Sequence, residues 1–306
     1  MITNIPSKED FYATASHMVN EAWENLTSIA HEYIQLQERN EYYEQSEYHN
    51  EENLIVLDNF WNYVRPKLIS ALALVQQSVE FRLKGLIVEI SPYLLITNAS
   101  KNIPKFDENG NIPFSSFHTL DAQDLFKVHH AYSENKIEEG FFKWYSEMRL
   151  LRNTYMHTVE LNRDISLEML FESIITAHNY LNKDYGHWIW SRYNYRSEHA
   201  SNGIEFKEMP PGNIFEMLPT HIELTSCIKL SSNERCISNF GYNKNNENYF
   251  CKPCVSVMEK NDYFNSKYLD ECIGTIQYNE VRSKYVCIFC QHEQLEEPAP
   301  LWGEEN

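Results

Sequence analysis

The sequence predicts a mostly α protein, a helical bundle followed by a small C-terminal domain of α/β or β-rich character. Three observations carry that reading. Apolar residues recur at steps of three and four through most of the first 185 positions. From about residue 188 the chain turns aromatic and polar and then breaks at "MPPGN" (209–213). All seven cysteines lie at or beyond Cys227. A chain of 306 residues is long enough to bury a large core and to hold two domains.

In chain order, Val19, Ala22, Trp23, Leu26, Ile29, Tyr33 and Leu36 place an amphipathic, acid-rich helix over 8–48. It reads as a bundle helix rather than a partner-binding arm. Pro66 opens the next helix, because proline is tolerated in a first turn. Leu68, Leu72, Val75, Val79, Leu83, Leu86 and Ile90 give its buried face, and Pro92 marks its end. Residues 100–118, rich in Asn, Pro and Gly, read as a loop, and a short helix from Leu120 to Tyr132 follows. Phe141, Tyr145, Met148, Leu151 and Tyr155 build a helix that begins near Glu138. Asp164 or Ser166 caps one more, built on Leu167, Leu170, Ile174 and Leu181 and ended by Gly186. Beyond it, "HIELTSCIKL", "YFCKPCVSVM" and "KYVCIFC" read as strands leading into cysteine knuckles. The division expected is an acidic helix over 1–50, a helical domain over 51–190 and a Cys-rich domain over 205–306.

Composition narrows the function classes. A net charge of −18 weighs against nucleic-acid binding, since phosphate affinity comes from Lys and Arg. The charge is uneven: the first sixty residues carry twelve acids against Lys8 and Arg39. A nearly neutral centre leaves room for a local basic site. The first residues lack the basic start and apolar core of a secretory signal, and no apolar run reaches membrane-helix length, so a cytoplasmic protein without a membrane span is expected.

The stretch "LLRNTYMHT" (150–158) sets Arg152, Asn153 and His157 inside an apolar-periodic helix. Asn153 and His157 share a face, while Arg152 and His157 stand roughly 140° apart, within reach of an arginine fork. Such a set suits phosphodiester cleavage in RNA. Histidine exchanges a proton with the 2′-hydroxyl or the leaving oxygen near neutral pH. Arginine holds the phosphate through two hydrogen bonds, and no metal is needed when the 2′-oxygen attacks. The bare spacing is weak, and Arg192 with His199 competes with it. The asparagine, the helical context and a second pair, Glu80 and Lys84 at i, i+4 on the 66–91 helix, favour Arg152. Taken alone, Glu80 and Lys84 are an ordinary helical ion pair.

"RNTYMH" resembles the Arg-polar-x3-His motif of the HEPN ribonucleases, and "EFRLK" resembles the Glu-x3-Lys that accompanies it in several of them. The order also fits, with the Glu/Lys helix first, and the resemblance covers roughly residues 50–185. It implies an all-α bundle that dimerises to complete its site, cuts RNA without metal and serves as a toxin or antiviral defence effector. Arg152 and His157 would be catalytic, Asn153 supporting, and Glu80 with Lys84 would back them or face RNA. The resemblance also implies an inhibitor or a neighbouring defence protein as partner. The family includes non-catalytic members, so fold alone does not prove cleavage.

The cysteines form a second constellation. "CKPC" (251–254) and "CIFC" (287–290) supply two knuckles, enough for a four-thiolate zinc site of structural type, and Cys251, Cys254, Cys287 and Cys290 are the expected ligands. Cys236 is an alternative knuckle member, or pairs with Cys227 and a histidine in a second site; Cys272 is left without a role. Neither knuckle has the βαβ surroundings of a thioredoxin-like redox motif. Basic residues such as Lys229, Arg235 and Lys284, interleaved with Tyr242, Tyr249, Tyr263 and Phe264, suit single-stranded nucleic acid or an ordinary mixed surface equally well. The adjacent His129 and His130 point to different faces. The chain has no glycine-rich phosphate loop and no Gly-x-Ser-x-Gly elbow. The function expected is a metal-independent endoribonuclease acting as a homodimer. The rival is a silent HEPN-like binding protein that uses its zinc module to recognise nucleic acid or protein. A DNA-binding regulator led by that module is a third, weaker reading.

Overall fold

A computed structural model describes residues 1–44, 52–98, 101, 103–157, 165–182, 186–201, 214–261 and 264–299. The protein is mostly helical, with a small sheet near its C-terminus that carries a cysteine cluster. Two compact units share the chain, one made of 1–25 and 61–165, the other of 26–60 and 166–306. Helices α1 (Lys8–Glu44) and α2 (Glu52–Ile90) each contribute to both.

The first unit packs the start of α1 on α2. Leu68, Leu72, Val75, Val79 and Leu83 are buried, as the spacing predicts, but Leu86 is half-buried and Ile90 exposed; the buried line runs from Val64 and ends at Ile87 instead. Ser78 donates to the Ala15 carbonyl at 2.9 Å, Phe11 meets Phe81 at 5.9 Å, and Lys8 pairs with Glu89 at 2.8 Å. Pro66 does not open α2 but lies inside it. A helix of this length absorbs the one lost N–H bond, so the first-turn rule misplaced the start. Residues 103–121 form no long element: β2 (Ile112–Pro113) pairs in parallel with β1 (Ile2–Thr3), and a short 3-10 turn (Phe114–Ser116) follows it. Helix α3 (Ala122–Tyr132) follows Asp121, whose side chain makes no capping hydrogen bond. Helix α4 (Glu139–His157) buries Phe141, Tyr145 and Met148.

In the second unit, Ser166 caps α5 (Leu167–Leu181) by accepting from the Met169 N–H at 3.2 Å. Asp164, the other capping candidate, lies outside the described residues. Helix α5 stops at Leu181 with Asn182 as its C-cap, before Gly186. The aromatic, polar stretch from residue 188 is helix α6 (Trp188–Ser201), and two expected strands beyond it are corrected. "HIELTSCIKL" belongs to helix α7 (Ile214–Leu230), and "CKPCVSVM" opens helix α9 (Lys252–Met258) after α8 (Asn233–Phe240). Helix α7 is buried around nearly its whole circumference from Glu223 to Ile228. Its β-branched, apolar run therefore lacks the one-sided pattern that separates a helix from a buried strand. "KYVC" is a strand as expected: β4 (Lys284–Cys287) lies between β3 (Ile276–Asn279) and β5 (Glu293–Gln294), antiparallel to both. Helices α5, α6 and α9 pack on α7.

Candidate functional site

Helices α2, α3 and α4 of the first unit meet around a cavity of about 330 Å³. Gln76 and Glu80 come from α2, Asp121, Ala122 and Gln123 from the amino end of α3, and Arg149, Arg152 and Asn153 from α4. The phenol of Tyr145 donates to the Ala122 carbonyl at 3.1 Å and ties α4 to the start of α3. Arg149 and Arg152, three apart, and Asn153, four from Arg149, share one side of α4.

The structure thus brings together Glu80, Arg152 and Asn153 from the expected set. Arg152 Nη1 donates to Asn153 Oδ1 at 3.0 Å, and its buried Nε has no hydrogen-bond partner. Gln76, 3 % exposed, donates its amide N–H to Glu80, and its own Oε1 has none. Burial pushes the Glu80 carboxyl above its ordinary range, against the pull of Lys84, Gln76, Arg152 and Arg149. Lys84 is half-buried one turn further on, with its ammonium 5.5 Å from the Phe81 ring centre. Burial and the charge of Glu80 push the Tyr145 phenol up. His157 closes α4, and its side chain lies outside the described residues.

Arg149 and Gln76 are absent from the sequence expectation. Each sits one turn from a predicted site residue, Arg149 three before Arg152 and Gln76 four before Glu80, and that spacing was the available signal. The competing arginine is differently placed. Arg192 is 1 % exposed and holds Glu223 through Nε and Nη2, both at 2.9 Å. Its candidate partner His199 has its side chain outside the described residues. His129 is buried, its imidazole driven down by burial and by the neighbouring charges of His130 and Lys136, while His130 stacks on Phe126 at 5.4 Å.

The second unit gathers Cys251, Cys254, Cys287 and Cys290, with all four sulfurs within 4.8 Å of one another. The Cys251–Cys290 and Cys254–Cys287 separations are 3.6 and 4.0 Å. A tetrahedron with metal–sulfur bonds of about 2.3 Å has edges of about 3.8 Å, so the spacing suits a four-thiolate metal site. Cys251 precedes α9, with a proline inside its first turn, and Cys287 ends β4. The Phe289 and Cys290 N–H groups point at Cys287 Sγ from 3.4 and 3.5 Å, and the Thr275 hydroxyl lies 3.3 Å away. Burial alone would raise Cys287, yet hydrogen bonds from the other three thiols and Thr275 hold it below the ordinary range. Such donors support a thiolate. Cys227 and Cys236 are buried outside this cluster, with Cys227 pushed up first by burial.

The basic residues of this unit are largely engaged. Lys229 pairs with Glu38 at 3.7 Å, Arg235 with Glu172 at 2.6 Å, and Arg282 and Lys284 with Glu293 at 2.6 and 3.0 Å. Tyr263 lies outside the described residues. Among the described residues no helix is long and apolar enough to cross a membrane. No family model, curated protein or solved structure matches the chain.

Proposed function

We propose that this protein is a metal-independent endoribonuclease of HEPN type, a toxin or antiviral defence effector, with Arg152, Asn153 and His157 at its centre. The observation that carries the reading is the meeting of Arg152, Asn153 and Glu80 on one cavity, with the Arg152 Nε unpartnered. A buried guanidinium N–H with no partner is an incomplete site, and a phosphate oxygen completes it. In this reading Arg152 stabilises the charge that builds on the scissile phosphate. Asn153 orients the Arg152 fork through its 3.0 Å hydrogen bond. His157 exchanges protons with the 2′-hydroxyl and the leaving oxygen, so cleavage leaves a 2′,3′-cyclic phosphate. Glu80 and Lys84 back the arginine, and two protomers complete the site, as the resemblance to that family implies.

The four-cysteine cluster holds zinc in the same reading, because sulfurs this close suit one tetrahedral ion and a closed all-thiolate set leaves no coordination position for catalysis. The bound ion would fix α9 to the β4 turn.

The test is growth of cells expressing the wild type, Arg152→Ala or His157→Ala, with total RNA resolved on a gel. Loss of an arginine or histidine of this kind lowers cleavage by about 10²–10³. Fragments that depend on added Mg²⁺ and persist in His157→Ala overturn the mechanism. The net charge of −18 favours one other reading, a silent binding protein. That reading gains if no variant alters RNA or growth.

A further inference from the structure

Three features of the first-unit cavity go beyond the Arg/Asn/His set. Arg149 stands one turn before Arg152 on the same wall. The amino end of α3 also lines the cavity; the Asp121 side chain does not cap it, and with the Asp124 N–H taken by the Asp121 carbonyl at 2.9 Å, the Ala122 and Gln123 N–H groups are left for another acceptor. The helix end does not stand alone. Gln76, 3 % exposed, lines the same cavity with an unpartnered Oε1, and Arg152 lines it with an unpartnered Nε. The charged side chains on the cavity are Arg149, Arg152, Glu80 and Asp121. Of the two acids, Glu80 already accepts from Gln76 and faces Arg152, so Asp121 is the one whose charge opposes an incoming anion.

We propose that this cavity is a phosphate seat in which Arg149, together with Arg152 and the uncapped N–H groups of α3, grips a phosphate group of RNA. The proposal rests on the ribonuclease reading and makes Arg149 a phosphate-binding residue of that site. A cavity of about 330 Å³ takes one ribose phosphate rather than a length of strand. The unpartnered Gln76 oxygen suits a hydroxyl donor of the same unit.

The experiment is calorimetric titration of the full chain with adenosine 3′-monophosphate, and with adenosine as the phosphate-free control. The wild type binds the nucleotide at least about tenfold more tightly than adenosine, and added salt weakens that preference. Arg149→Met removes most of the preference, and its melting temperature, within a few degrees of the wild type, shows that the variant is folded. Asp121→Asn, which deletes a negative charge at the rim and keeps a residue fit for the N-cap position, tightens nucleotide binding severalfold. Equal binding of nucleotide and adenosine by the wild type overturns the proposal. So does nucleotide affinity indifferent to both substitutions. RNA cleavage is scored separately. Cleavage that requires His157 without any phosphate preference removes the seat and spares the nuclease. A phosphate preference in a chain that cuts no RNA, whatever residue 157 is, does the reverse.

Discussion

Replacing Arg192 by Met tests whether the α6–α7 contact is an ionic lock. The guanidinium is 1 % exposed and bonds both Glu223 oxygens at 2.9 Å. Glu223 also accepts from Arg196 Nη1 at 2.9 Å, and Arg196 Nε bonds Glu216 at 2.5 Å. Two arginines and two glutamates therefore balance, with Arg192 dry and Arg196 partly exposed. At an effective dielectric near 20, one such pair at contact is worth about 4 kcal/mol before desolvation. Removing one partner leaves an uncompensated buried charge, which costs about 3–5 kcal/mol. Arg196 still serves Glu223, so the loss should fall near the lower end, about 3 kcal/mol. Adding Glu223→Leu restores neutrality, with Arg196 and Glu216 still paired. The double variant should therefore lose less than the sum of the singles, by about 2 kcal/mol. Urea unfolding of the wild type, both singles and the double supplies the four free energies. A loss under about 1 kcal/mol for Arg192→Met, or additivity within about 0.5 kcal/mol, refutes the lock.

Stripping metal with a strong chelator should release zinc and lower the melting temperature of the second unit by more than about 10 °C; unchanged melting after release refutes a structural role. Gly274→Ala should cost about 1–3 kcal/mol, because its Cβ would stand 2.6 Å from Asn248 Oδ1 and 2.7 Å from the Tyr249 main-chain nitrogen, beside the Thr275 that supports Cys287. Wild-type stability in that variant, read by urea unfolding, contradicts the packing. Glu80→Gln should raise the melting temperature at pH 7.5 and not at pH 4. Burial raises the folded-state value above the ordinary 4.5, so the folded chain binds the proton more tightly than the unfolded one. The penalty on the charged form is then absent below pH 4.5 and grows to its full size as pH rises through the folded value. A gain of equal size at both pH values counts against this.

Much of the fold is legible where burial is one-sided. The stripe Leu68, Leu72, Val75, Val79 and Leu83 on α2 and the Ser166 cap of α5 both announce themselves in local sequence. Helix α7 does not, because Leu224 to Ile228 are buried on every side and their periodicity is erased. Helix α9 was hidden by its own knuckle: "CKPC" points to a metal, and only the packing of Val255 and Met258 makes the following turn helical. The same division holds for the sites. The cysteine cluster is legible because two local knuckles fix two sulfurs each, and only their meeting is tertiary. The cavity is less so, since Arg149 and Asp121 belong to it through where α3 meets α4, which no local spacing reveals.

Arg192 and Arg152 show why spacing alone could not choose between two motifs. Each lies on a helix a few residues before a histidine, at 199 and 157. What separates them is the state of their donors. Arg192 spends Nε and Nη2 on Glu223, and its charge is answered within its own unit. Arg152 has Asn153 on Nη1, while its buried Nε meets no acceptor. Folding compensates buried donors wherever it can, since an orphan costs about 1–3 kcal/mol. On the ribonuclease reading proposed above, a guanidinium that keeps one, beside a cavity and a second arginine, waits for an acceptor that the chain does not itself supply.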